Sequence, residues 1–172
     1  MDVSGSDQRP GRPVATIGRM TFDFSAALRI DLDATSWVEH IPGWLSAGDQ
    51  LLADLLAADG WEQRSRWMVN RTVLEPRLTV EFPDIADAPV PLLRTAAAAL
   101  SVHYGVPYDG LWVNRYRDHS DSTGWHGDWP TCKRELCVVP VRDWVHSVPK
   151  QKTPAGVRVS VNFSSRAQAV RS

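Results

Sequence analysis

The sequence predicts an α+β fold in which a β-sandwich or jelly roll is backed by helices that come early in the chain. Two segments with helical periodicity lie before residue 106, at 46–58 and from Pro91 to just before Gly105. Strand-type segments dominate the remainder, near 110–116, 135–141, 143–148 and 156–163. Helices followed mainly by strands are typical of this class of fold.

Both helices carry start and stop signals. Ser46 is predicted as the N-cap of the first helix, with Asp49 at the third position and Gly60 just beyond the end. Pro91 opens the second helix, which ends before Gly105. The apolar stripe of the first helix consists of Leu51, Leu52, Leu55 and Leu56.

Further strands are expected within 19–32 and near 63–69 and 76–82, where apolar residues alternate with polar ones. Residues 1–15 are rich in Gly, Ser, Pro and Arg and are predicted to be a disordered tail. The remaining residues, 16–172, are expected to form a single domain, because a chain of 172 residues suits one core.

The composition is that of an ordinary globular protein, with 43% hydrophobic and 23% charged residues. No apolar run approaches the length of a membrane span, and no signal peptide is evident at the N-terminus. The chain has only two cysteines, which fits a reducing compartment. We therefore expect a cytoplasmic protein, a monomer, with no membrane partner.

The net charge of −1 is unevenly distributed. Residues 1–60 carry 4 Lys and Arg against 9 Asp and Glu, whereas residues 133–172 carry 8 against 2. The cationic C-terminal quarter suits contact with phosphates. The alternative is that part of it binds an acidic co-substrate and the rest is solvated surface.

The pattern most indicative of chemistry is a His-x-Asp pair, His126 and Asp128, followed by a distal histidine, His146. Side chains two residues apart on a strand share a face, so His126 and Asp128 suit joint binding of a metal. Two imidazoles and a carboxylate are the facial triad of Fe(II) oxygenases, which leaves positions for O2 and a bidentate acid. Taken singly, the pair also fits a surface loop, and His146 a buried core residue.

These residues occur in a longer set of motifs that resembles the AlkB family of Fe(II)/2-oxoglutarate dioxygenases. The segment 111–128 matches the family's N-x-Y…H-x-D pattern, 144–150 its second-histidine segment (W-x-H-x-V-P), and 158–163 its R-x-S-x-N-F strand. The resemblance covers roughly residues 37–166. It implies a double-stranded β-helix, Fe(II), 2-oxoglutarate and O2 as reactants, and oxidative demethylation of alkylated bases in DNA or RNA.

The resemblance also implies individual roles in co-substrate binding. Asn114 would contact the carboxylate of 2-oxoglutarate nearer the metal, and Tyr116 and Arg158 the distal carboxylate. The family has a second arginine six residues after the first, where this chain has Ser164. Arg166 lies two residues further on and, if the strand continues, on the same face.

On the substrate side, the resemblance assigns residues 61–82 to a nucleotide lid. Trp67, Arg77 and Phe82 are the residues expected to contact an alkylated base and its phosphates. An amphipathic hairpin with its arginines in solvent is the alternative interpretation. Trp129 to Thr131 follow the metal aspartate, where many nucleic-acid demethylases have an acidic residue.

The chain is short for this fold between Asp128 and His146, which are separated by only 17 residues. Four strands with their turns need roughly 30 residues or more, so some central strands are expected to be missing, a deletion of roughly 35–40 residues relative to the family. A natural minimal variant, a gene-model artefact and an incomplete chain remain open. Two other functions also remain open: the same cofactors acting on a protein or small molecule, and a non-catalytic nucleic-acid-binding variant.

Overall fold

The computed structural model describes residues 15–17, 20–34, 37–126 and 146–165. Within these ranges, eleven short strands pair into five antiparallel sheets, and two α-helices accompany them. The mixed α+β class predicted from the sequence is confirmed. The predicted tail falls outside the described residues except for Ala15, and so does the strand predicted at 135–141.

The first helix, α1 (Gly48–Ala57), begins two residues after the predicted N-cap. Ala47 occupies the N-cap position without a side-chain capping bond, so the prediction for Ser46 is wrong. Leu45 is extended because it forms a β-bridge with Phe22. Ser46 and Ala47 form the turn that follows, and the helix begins after this turn. The buried residues of α1, Leu51 and Leu55, belong to the predicted apolar stripe.

The second helix, α2 (Pro91–Tyr104), has both predicted end signals. Proline stands in its first turn, where a backbone N–H would have no intrahelical partner. Gly105 ends it with φ of 68°, a left-handed conformation that glycine adopts at low cost. Its buried face consists of Leu92, Leu93, Ala96, Ala97 and Ala99.

The largest sheet has three strands, β7 (Leu78–Phe82), β8 (Gly110–Tyr116) and β11 (Arg158–Ser164), with β8 in the centre. Val113 of β8 pairs with Val80 on one side and with Val161 on the other. All three strands were predicted from the alternation of apolar and polar residues. This register fixes which side chains share a face.

One face of this central sheet is apolar and covers the hydrophobic core. It packs with α1, α2 and the aromatic residues near Phe22, and Phe22, Leu55, Leu93 and Val113 are its most deeply buried side chains. The sheet residues that contribute to this face are Val80, Phe82, Leu111, Val113, Val159, Val161 and Phe163. The opposite face, which we call the polar face, carries the alternate residues of the same strands.

The remaining strands form two-stranded antiparallel pairs. These are β1 (Ala15–Ile17) with β2 (Met20–Phe22), β3 (Leu28–Asp31) with β4 (Trp37–His40), β5 (Ser65–Met68) with β6 (Arg71–Leu74), and β9 (Thr123–His126) with β10 (His146–Val148). The β5–β6 hairpin is exposed along most of its length. At its tip Val69 has φ of 57° and a side chain 96% exposed.

No helix within the described residues is both long enough and apolar enough to cross a bilayer.

Gly110 at the start of β8 lies where a side chain has no room. A Cβ at this position would be 2.9 Å from the carbonyl oxygen of Pro83 and 3.1 Å from the hydroxyl of Ser164. We expect Gly110→Ala to lower the free energy of unfolding by about 1–3 kcal/mol, because the backbone must shift to relieve the clash. Urea denaturation measures this. Gly156→Ala, with nothing within 4 Å of its Cβ, is the control and should change stability by less than about 0.5 kcal/mol; equal effects would contradict the steric explanation.

Tyr108 is 8% exposed, and its buried hydroxyl has no hydrogen-bond partner among the described residues. Burial raises the pKa of Tyr108 to about 12 from its ordinary value of 10.0. Because the folded pKa is the higher one, the contribution to stability is present below pH 10 and is lost as the pH rises towards 12.

Tyr108→Phe should be as stable as the parent at pH 7, or more stable by up to about 1 kcal/mol. It should also lose less stability than the parent above pH 10 in denaturation experiments. A loss above about 1 kcal/mol at pH 7 would mean that the hydroxyl is hydrogen-bonded.

Candidate functional site

The polar face of the central sheet brings together three of the residues predicted to bind a co-substrate. Tyr116 and Arg158 are cross-strand partners in the pairing of β8 with β11. Asn114 is two residues from Tyr116, and therefore on the same face, and pairs with Ser160 on one side and Thr79 on the other. The three side chains thus present an amide, a phenol and a guanidinium over a short stretch of sheet.

Arg158 is held against the ring of Tyr116. Its guanidinium carbon lies 4.6 Å from the ring centroid, a cation–π arrangement that favours one orientation of a long side chain. Tyr116 is 2% exposed, whereas Arg158 is exposed at the start of β11. The cation is therefore both oriented and accessible to an anionic ligand.

Two buried threonines contact the other polar groups of this face. The hydroxyl of Thr79 donates to Oδ1 of Asn114 at 2.9 Å. Oγ1 of Thr123 lies 2.9 Å from the hydroxyl of Tyr116, which places β9 against this end of the polar face. Neither threonine was predicted from the sequence. The only signal for Thr79 was the alternation of its strand, which puts it on the polar face with its cross-strand partner Asn114.

Arg77, predicted to contact substrate, is partly buried and engaged by neighbouring residues. Its side chain is 16% exposed, and Nη2 forms a 2.8 Å ion pair with Glu75. Nη1 donates to Oγ1 of Thr123 at 2.6 Å. Arg77 thus ties the chain before β7 to β9, and its guanidinium is used inside the protein.

The histidines of the predicted metal site face each other. His126 and His146 are cross-strand partners in the β9–β10 pair, and their ring centroids are 4.2 Å apart with 52° between the ring planes. Nδ1 of His126 is 2.8 Å from the carbonyl oxygen of Gly124. A carbonyl oxygen only accepts, so Nδ1 of His126 is the donor in this bond.

This geometry fits two ligands of one metal ion. Imidazoles bound at right angles through bonds of about 2 Å have ring centroids roughly 4.5 Å apart, close to the observed 4.2 Å between His126 and His146. The Nδ1–H to carbonyl bond is also the usual way in which proteins orient a metal-binding histidine. The third predicted ligand, Asp128, lies outside the described residues, as does Arg166. Within the described part of the chain, no cluster of three or more His, Cys, Asp or Glu side chains is suited to a metal.

The loop from β8 to β9 is braced by a buried carboxylate. Asp121 accepts from the backbone N–H of Arg117 at 2.8 Å and from its guanidinium at 2.8 and 2.9 Å. These bonds hold the pKa of Asp121 below its ordinary value. The loop is further tied by a backbone bond from Gln151 to His119, and a cleft of about 120 Å³ lies between this loop and Arg158. The bracing fixes where β9, and with it His126, begins.

The residues predicted for substrate contact do not lie together. Trp67 is 70% exposed on the β5–β6 hairpin and is accessible for stacking. Phe82 packs against the hydrophobic core on the apolar face of the central sheet, because it pairs with Leu111 and shares its face. Phe82 is partly buried there, and its contact with substrate stays a prediction.

The arginines around the hairpin are partly neutralised. Arg64 forms an ion pair with Glu81, and Arg66 lies 3.8 Å from Glu75, which also binds Arg77. The positive charge beside the β5–β6 hairpin is thus reduced by adjacent carboxylates.

Neither the protein-family models nor the curated proteins include a match to this chain.

His126 and His146 generate a direct test of metal binding. Loss of a residue that hydrogen-bonds to a metal ligand typically weakens metal binding by roughly 10–100-fold. We expect each alanine variant to weaken Mn(II) or Fe(II) binding by more than this, because a bond to the metal itself is removed. Isothermal titration calorimetry under anaerobic conditions measures this. His40→Ala, at an exposed position on β4, is the control and should bind as the parent does. Metal affinity that is unchanged in both His126→Ala and His146→Ala would exclude a metal site here.

Proposed function

We propose that this protein is an AlkB-like Fe(II)/2-oxoglutarate-dependent dioxygenase that demethylates alkylated nucleobases in DNA or RNA. The observation that carries the proposal is the facing pair His126 and His146, 4.2 Å apart between ring centroids. The pair lies on strands joined through Thr123 to the polar face that bears Asn114 and Tyr116. A metal site next to a surface of anion-binding groups is what this reaction requires.

The proposal includes the finer fold. The central sheet and the β9–β10 pair would be parts of the two sheets of a double-stranded β-helix, with the polar face between them. Contact between Thr123 of β9 and Tyr116 of β8 supports this arrangement. The central strands expected to be missing would belong to the interval between His126 and His146.

Iron would be held by His126 and His146 together with Asp128. When bound, Fe(II) with 2-oxoglutarate supplies the oxidising chemistry: O2 is consumed, 2-oxoglutarate becomes succinate and CO2, and the substrate N-methyl group leaves as formaldehyde. The protein's own part is to orient both reactants. The Nδ1–H bond from His126 to Gly124 fixes one ring so that Nε2 is the binding atom.

The co-substrate would lie over the polar face. The guanidinium of Arg158 and the hydroxyl of Tyr116 would bind its distal carboxylate, and the amide of Asn114 the carboxylate nearer the metal. A charge-assisted bond from a guanidinium is stronger than a neutral one, so Arg158 would contribute most to affinity. Arg166 remains a candidate for the second arginine of the family.

The β5–β6 hairpin would contact the nucleic acid. Trp67 at its surface offers a flat apolar ring, and stacking of a base on an aromatic side chain is worth about 1–3 kcal/mol. Met68 and Val69 extend this apolar tip and are 42% and 96% exposed. O2 would be the remaining reactant, and the protein would act as a cytoplasmic monomer.

A second candidate keeps the cofactors and changes the substrate to a protein side chain or a small molecule. The pairing of Arg64 with Glu81, and of Arg66 and Arg77 with Glu75, favours it, because these carboxylates oppose binding of a polyanion. Succinate formed with a methylated oligonucleotide, above that with the unmethylated strand, supports the first candidate. Succinate that does not depend on the oligonucleotide supports the second, and its absence under every condition contradicts both.

Arg158 is the residue whose loss tests co-substrate binding. Arg158→Ala should weaken 2-oxoglutarate binding to the Mn(II)-loaded protein by about 1–2 kcal/mol, roughly 5–30-fold, because a charge-assisted bond at an accessible position is removed. Calorimetry measures the dissociation constant. The matched control is Arg29→Ala, since Arg29 is also exposed and lies 4.5 Å from the ring centroid of Trp37, away from the polar face. Equal affinities for the parent and Arg158→Ala would remove this residue from the proposed site.

A further inference from the structure

We propose that Thr79 and Thr123 are positioning residues that turn Asn114 and Tyr116 into hydrogen-bond donors directed at the ligand, so that the polar face selects a dicarboxylate. The inference rests on the proposed function, because the ligand it concerns is 2-oxoglutarate. Both threonines are buried, at 5% and 8% exposure.

The pairing of β7 with β8 places Thr79 close to Asn114. Thr79 exchanges both of its backbone bonds with Glu62, at 2.8 and 3.1 Å, and so directs its peptide groups away from β8. Thr79 and Asn114 therefore form a pair without hydrogen bonds between their own backbones, the arrangement in which opposite Cα atoms approach to about 4.5 Å. The short separation lets the two side chains bond directly.

The bond determines which end of the amide faces the ligand. Because the Thr79 hydroxyl donates to Oδ1 of Asn114, the amide oxygen is engaged on the β7 side. The NH2 group, which can only donate, is then the end available on the rest of the polar face. Without Thr79 the amide could rotate and present its oxygen, which would repel a carboxylate.

Thr123 acts on Tyr116 in the same sense. Arg77 donates to Oγ1 of Thr123 at 2.6 Å, and the tyrosine hydroxyl is 2.9 Å from the same atom. A hydroxyl has one proton and two lone pairs, so Thr123 can accept from Arg77 and still donate to Tyr116, and we assign the proton of this bond to Thr123. With that assignment the proton of the Tyr116 hydroxyl is available to a ligand, and the partly buried Arg77 has the role of orienting Thr123.

The three groups assigned to the co-substrate then all act as donors. The amide NH2 of Asn114, the hydroxyl proton of Tyr116 and the guanidinium of Arg158 all require an acceptor. A ligand with a carboxylate at each end supplies charged acceptors to all three. An ammonium group at either end leaves donors facing donors, and an amide offers only one uncharged acceptor oxygen. The two threonines are thus the specificity determinants of the site.

The experiment is a double-mutant cycle read by calorimetry of 2-oxoglutarate binding to the Mn(II)-loaded protein. Thr79→Val keeps the shape of the side chain and removes its hydroxyl, and it should weaken binding roughly fivefold, the loss of one hydrogen bond. Thr79→Ser restores the hydroxyl and should bind within about twofold of the parent. In an Asn114→Ala background, Thr79→Val should have no further effect, because the group it orients is gone.

Thr123→Val and Thr123→Ser form the second arm, with Tyr116→Phe as the background. If either valine variant does not fold, the corresponding alanine variant, which cannot overpack the site, is expected to give the same loss. Parent-like affinity in Thr79→Val, or equal losses in Thr79→Val and Thr79→Ser, would overturn the positioning role of Thr79. The proposed function fails separately, and this inference with it, if the Mn(II)-loaded parent does not bind 2-oxoglutarate at all.

Discussion

The pairing of β8 with a strand on each side is the constraint on which the described structure depends. Seven consecutive residues of β8 are in register with β11, and five with β7. Because neighbouring side chains on a strand point to opposite faces, this register commits Leu111 and Val113 to the core and Asn114 and Tyr116 to the polar face. A slip by one residue would turn the polar groups towards the core and the valines towards the polar face, so the hydrophobic core enforces the arrangement of the candidate site.

The parts of the fold that were predictable from the sequence are those set by local periodicity. α2 and the three strands of the central sheet have regular patterns and clear end signals, and the structure has them where predicted. The start of α1 was not predictable, since it depends on Leu45 bridging to Phe22, a contact between distant residues. The strand Trp37–His40 was also missed, because it pairs only with the short β3 and shows little alternation.

The candidate site divides in the same way. Spacing alone predicts that Asn114 and Tyr116 share a face, and the structure puts them on one face. Contacts between distant residues could not be predicted in this way. Arg77 is engaged by Glu75 and by the distant Thr123. Phe82 packs against the core, and its predicted contact with substrate, like that of Arg77, stays a prediction. The identity of an aromatic or basic residue does not reveal whether its side chain faces solvent or packs inside the protein.

The cross-strand pairing of His126 with His146 has a consequence for how this protein could have changed during evolution. The β9–β10 ladder fixes the two ends of the interval that separates these residues in the sequence, because it pairs the residues that flank it. For connecting segments in general, the entropy of closure rises by only about 0.6 kcal/mol for each doubling of length. A change in the length of this interval would therefore act on the histidine pair mainly through the ladder. The β9–β10 pairing is the feature that a chain with a longer interval would have to keep if the two imidazoles are to stay opposite each other.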